Sequence, residues 1–238
     1  SQFLELFPPE YEAEIHEDSS WSCAHGIERW RSNCGCHTGG PGHWNQEWRV
    51  GLREALDWLN SEFAGIFEKE MGQYVDHPWN VRNKYIEVIY NRSLTNHERF
   101  VEEHTNRRLS MEELTRFNRL LEMQKHSMFM FTSCGWFFND ISGIETVQIL
   151  QYAARGIQLA ESVQRKKLTA GFVNRLKKAV SNLPDKGTGE DIYRNDVEPK
   201  ALTLTQVGMH YAVDSLFEET ATDLTVLNYD CTSDWFLR

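Results

Sequence analysis

The residues best equipped for chemistry crowd into Trp21–Trp44, WSCAHGIERWRSNCGCHTGGPGHW. Six side chains there carry thiol or imidazole groups: Cys23, His25, Cys34, Cys36, His37 and His43. Thiolate and neutral imidazole are ordinary zinc ligands, and four of them at tetrahedral distance would staple an irregular loop. The order C-x-H-x8-C-x-C-H-x5-H matches no common zinc-finger spacing. In extended chain, C-x-C also sends its two thiols apart, so a metal would require a turn between them. The spacing therefore favours small buried thiols and imidazoles bonded to loop backbone, with no metal and no other cofactor. A second arrangement pairs Cys34 or Cys36 with His25 as nucleophile and base, Glu28 orienting the imidazole. No cysteine-hydrolase signature surrounds them, and no catalytic residue is assigned.

Two carboxylates invite a different chemistry, since glycoside hydrolysis uses a carboxylate pair. Asp140 follows an aromatic run in a break between helices, where a polar side chain can face a cleft. Glu145 stands three residues after Ser142, and that spacing explains it as the far end of a capping box. Trp21, Trp30, Trp44 and Trp136 lie in or beside irregular segments, where indole faces suit the apolar faces of sugar rings. The expected substrate-binding set is therefore Trp21, His25, Trp30, Trp44, Trp136 and Asp140. Packing of the long loop onto the helices is the competing explanation for the tryptophans.

The elements that must position these groups are mostly helices. Trp48, Leu52, Ala55, Leu56, Leu59, Phe63, Ile66 and Phe67 recur at three- and four-residue spacing, predicting a long helix over 45–71. Gly51 and Gly65 within it weaken the helix or permit close packing. A helix from Asp76 with Pro78 in its first turn carries Trp79 and Tyr85 to Tyr90. Capping-box spacings at Thr95, Ser110 and Ser142 open three more helices. The run 128–131 reads as a buried helical turn. Another helix covers 170–183, residues 184–199 read as a polar surface loop, and a last helix covers 204–219. Thr225–Tyr229 alternates like a strand whose partner lies elsewhere. The fold class is mainly α: a bundle of about six to seven helices behind a long irregular N-terminal loop, with a short strand near the C-terminus. The expected division is an acidic segment at 1–20, a helical domain at 21–222 and the start of a following segment at 223–238.

The bulk numbers narrow the partners. A formal charge of −10 argues against nucleic acid and against an anionic membrane surface. No apolar run approaches the roughly 20 residues that span a bilayer. The chain starts at Ser1 in what reads as protein interior, as an excised piece of a longer polypeptide would. An odd count of five cysteines points to a reducing, cytoplasmic setting.

Three segments together, SWSCAHGIERWRSNCGCHTGG, HWNQEWRVGLREALDWLN and TSCGWFFNDISGIETVQILQYAARGIQLAE, resemble the uncharacterised domain that follows the catalytic domain in glycoside hydrolase family 57-like proteins, relatives of α-amylases and α-mannosidases. The resemblance spans most of residues 20–220. It implies that the catalytic carboxylates belong to an incomplete β/α barrel upstream, and no repeated βα units are legible here. It also implies a helical region that packs on that barrel and lends aromatics to the cleft. The family's Ser-Asp-Trp-Phe-Trp motif is matched best by Cys134-Gly135-Trp136-Phe137-Phe138, giving Trp136 a sugar-facing role and placing Gly135 where the acid would stand. The expectation is a non-catalytic domain completing a carbohydrate cleft. Its partners would be the barrel and an α-glucan or other carbohydrate, with a homo-oligomer left open. A structural or assembly module is the alternative, and an independent metal or cysteine hydrolase is a third reading.

Overall fold

A computed structural model describes residues 2–216, 223–226 and 229–232. Among them lie helices α1 (Gln2–Leu6), α2 (Trp48–Met71), α3 (Pro78–Lys84), α4 (Ile86–Tyr90), α5 (Leu94–His104), α6 (Met111–Phe129), α7 (Cys134–Phe137), α8 (Ile144–Val163), α9 (Thr169–Leu176), α10 (Gly189–Ile192) and α11 (Leu204–Asp214). A mainly helical bundle is what the periodicity predicts. Among the described residues, no helix is long and apolar enough to cross a membrane.

The long apolar stripes build the core. α2 buries Trp48, Leu52, Ala55, Leu56, Leu59, Phe63 and Phe67; α6 buries Phe117, Leu120, Leu121 and Met123. α8 adds Ile149, Leu150, Ala153, Ile157 and Ala160, and α9 covers α2 with Phe172, Val173 and Leu176. Each fully buried Leu or Phe contributes about 1.5–3 kcal/mol. Gly51 permits close packing: a Cβ there would lie 2.6 Å from the backbone of 178–179. A Cβ at Gly65 would meet nothing.

Several local expectations give way to tertiary context. The segment from Asp76 breaks into α3 and α4 at Tyr85, and Ser93, not Thr95, caps α5. The Ser110/Glu113 box forms as predicted. The Ser142 box does not: Gly143 is the N-cap, and the Ser142 hydroxyl donates to Asp140 at 2.6 Å. Met128 is 47% and Phe129 37% exposed, so only part of 128–131 is buried. The expected loop at 184–199 is instead α10 and a π-helical turn that bury Ile192, Tyr193 and Val197. The strand finds its partner nearby, β1 (Asp223–Val226) pairing antiparallel with β2 (Tyr229–Thr232). The end of the predicted helix at 217–219 lies outside the described residues.

Candidate functional site

The long loop folds so that four of its six candidate donors converge. Cys23 Sγ lies 3.8 Å from Cys34 Sγ and 3.7 Å from Cys36 Sγ. His25 Nδ1 stands 3.8 Å from Cys23 Sγ and 3.5 Å from Cys36 Sγ. All four donor atoms fall within 4.8 Å of one another. The turn that C-x-C requires is supplied by Gly35 at φ +77°, a left-handed conformation open to glycine. Gly26, at φ +70°, turns the chain after His25, where a side chain would strike the Asp18 carbonyl at 2.5 Å. His37 and His43 are exposed and stay outside the cluster. Sequence spacing favoured separate thiols because it could not see that Gly35 reverses the chain.

The surroundings are arranged around the sulfurs. Burial works to raise the Cys23 thiol, but hydrogen bonds from the backbone and ring of His25, the Arg29 backbone and Cys36 hold it down at about 6. Burial and the neighbouring thiols push Cys36 up instead. Two arginines are buried nearby. Arg49, 0% exposed, donates from Nη2 to the Phe138 carbonyl at 3.0 Å, while its Nε and Nη1 find no acceptor. Burial draws its guanidinium down to about 10, against the pull of negative charge at Cys34, Cys23 and Cys36. Arg29, 4% exposed, lies over the Phe137 ring at 4.7 Å, with Nε unpartnered. Among the described residues neither arginine has an ion pair. Nothing in the composition marks these two arginines, so sequence reading missed them. Glu28 does not orient His25; it accepts from Arg31 and from Ser32 at 2.6 Å.

Two expected substrate contacts are corrected by burial. Trp136, 1% exposed, is a core residue and cannot offer a face to a ligand. Its helix α7 lies directly on α8, and a Cβ on Gly135 would stand 1.9 Å from Ile149 Cδ1. No acid fits at 135. Asp140 is buried too: Oδ1 accepts from Ser142 N at 2.8 Å and Ser181 Oγ at 2.8 Å, and Oδ2 from Asn182 N at 2.6 Å. Such a carboxylate is a clamp between segments. His25 belongs to the thiol cluster, Trp30 packs partly against the core, and Trp44 is half-buried beside Gly40.

Trp21 stands apart. It is 93% exposed, yet its ring is held 6.1 Å from Phe137, which meets Phe138 at 5.6 Å. Phe138 is 42% exposed, and Cys134 and Ile144 line one shallow pocket at the other end of α7. An aromatic face therefore runs along α7 beside the cluster. Elsewhere a cleft of about 850 Å³ between α6 and α8 is lined by Arg92, Arg119, Lys125, Arg155 and Lys200 against the single carboxylate Glu122.

A family model described as a domain of unknown function (DUF3536) matches residues 44–236. The match begins just after the cluster, so its four donors lie outside the matched region. No curated protein and no solved structure matches the chain.

Proposed function

The chain belongs to the DUF3536 family, and from that premise we propose that it is a non-catalytic helical module presenting an aromatic face to carbohydrate, the accessory part of a family 57-like glycoside hydrolase or glucanotransferase. The observation that carries the reading is Trp21, an almost fully exposed indole whose ring centroid lies 6.1 Å from that of Phe137. Water-exposed tryptophan is costly in apolar area, and its indole offers a flat face that can stack on the C–H face of a sugar. The resemblance to the domain downstream of family 57 barrels supplies the substrate class, an α-glucan. The absence of catalysis rests on two positions: Asp140 is fully occupied by hydrogen bonds, and Gly135 leaves no room for an acid.

The same face supports a second reading, docking onto the catalytic barrel of the same polypeptide. Ile144, 80% exposed at the start of α8, lines a shallow pocket with Cys134 and adds an exposed apolar group that a sugar ring does not need.

Affinity electrophoresis through amylose, glycogen and mannan separates the two. The carbohydrate reading expects retardation by the α-glucans, lost in Trp21→Ala at an unchanged melting temperature, because an exposed side chain contributes little to the fold. Equal mobility of both proteins in every gel sinks it. Self-association that Trp21→Ala and Ile144→Ser abolish, without any glucan retardation, supports docking instead.

A further inference from the structure

We propose that Cys23, His25, Cys34 and Cys36 bind one zinc ion in a closed, structural site whose negative charge is balanced by the buried guanidinium of Arg49. The distances carry the first half. Zinc–sulfur bonds of about 2.3 Å at tetrahedral angles put two sulfurs about 3.8 Å apart, and a zinc–nitrogen bond of about 2.0 Å puts nitrogen about 3.5 Å from sulfur. The sulfur–sulfur separations are 3.8 and 3.7 Å, and the nitrogen–sulfur separations are 3.8 and 3.5 Å. These four separations match edges of a coordination tetrahedron, and the remaining two donor pairs lie within 4.8 Å. A disulfide would demand about 2.05 Å between two of the sulfurs.

Charge carries the second half, independently. Zinc with three thiolates and one neutral imidazole has a net charge of −1, since each thiol gives up its proton as the metal enters. Arg49 is a buried cation that lacks a carboxylate and leaves its Nε and Nη1 without acceptors. A bare buried cation is strongly unfavourable, whereas one beside an anionic complex is paired. Three sulfurs and one nitrogen at tetrahedral spacing select zinc over the hard, oxygen-seeking cations. With four protein ligands no position is left for water or substrate, so the ion holds the loop and does no catalysis.

The test uses the full chain purified under reducing conditions. Elemental analysis should give one zinc per chain, and cobalt(II) loaded after chelation should show the visible bands and thiolate charge-transfer absorption of a tetrahedral site. His25→Cys should keep the metal as a four-thiolate site. His25→Ala should weaken binding by more than the ~10- to 100-fold typical of losing an outer-shell partner. A chain that stays metal-free with zinc in excess, an octahedral cobalt spectrum, or a mass deficit showing a disulfide among these cysteines would overturn the proposal. Should the variants fail to fold, the wild-type cobalt spectrum still decides.

Discussion

At the scale of single residues, the fold shifts the protonation of one half-buried histidine. His126, on α6, is held down from its usual 6.5 to about 4, first by burial and then by Lys125 and Arg155, with Glu122 pulling the other way. Its folded-state value lies below its unfolded value, so between these two pH values the unfolded chain binds a proton that the folded chain does not. Stability from this group is full above about pH 6.5 and is lost as pH falls toward 4. Urea titrations at steps between pH 7 and 4.5 should show His126→Gln losing stability less steeply than wild type, by up to about one proton per unfolding event. Parallel slopes would contradict the burial assigned to His126. No periodicity marks this histidine, because its shift arises first from burial in the folded bundle and then from cations on its own helix and on α8.

At the scale of elements, the break between α6 and α8 acts as a hub. The Trp48 Nε1 group and the Asn182 amide both donate to the Asn139 carbonyl, at 3.2 and 2.9 Å, and Thr38 N donates to Asn139 Oδ1 at 3.0 Å. Arg49 reaches the Phe138 carbonyl, and Asp140 clamps Ser181 and Asn182. The loop, α2 and the chain after α9 are thus tied to three consecutive residues. Asp140→Asn keeps the shape but faces an amide N–H toward backbone or hydroxyl donors, and should cost about 2–3 kcal/mol in chemical denaturation. An unchanged midpoint would remove the clamp. The sequence located this break and offered Asp140 to a cleft, but nothing local distinguishes a clamp from a cleft-facing acid. That distinction depends on Ser181 and Asn182, 41 and 42 residues away.

For the whole molecule, the loop and the bundle draw on different sources of stability. The bundle is held by apolar stripes on α2, α6, α8 and α9, whereas loop 21–44 buries little beyond Cys23 and Arg29. Chelation should therefore open Trp21–Trp44 to limited proteolysis while the far-ultraviolet circular dichroism of the helices persists. Loss of helix and loop in one transition would show that the loop is integral to the core. The cation-lined cleft between α6 and α8 is local in the same sense: five basic side chains gather there on a chain of net charge −10.

The sequence by itself determined that this chain is a helical bundle, where the long helices run and which face of each is buried. Those properties follow from spacing within a turn or two of helix, and α2 keeps its predicted stripe. It also singled out Trp21–Trp44 as the stretch holding the reactive groups. Only the tertiary structure decided what those groups do. His25 and Cys34 meet across eight intervening residues because Gly26 and Gly35 adopt left-handed turns. Trp136 goes into the core because Gly135 lets α7 lie directly on α8, while Trp21 stays 93% exposed. Burial and coordination are set by segments distant in the chain, and their signal is not carried by any local spacing.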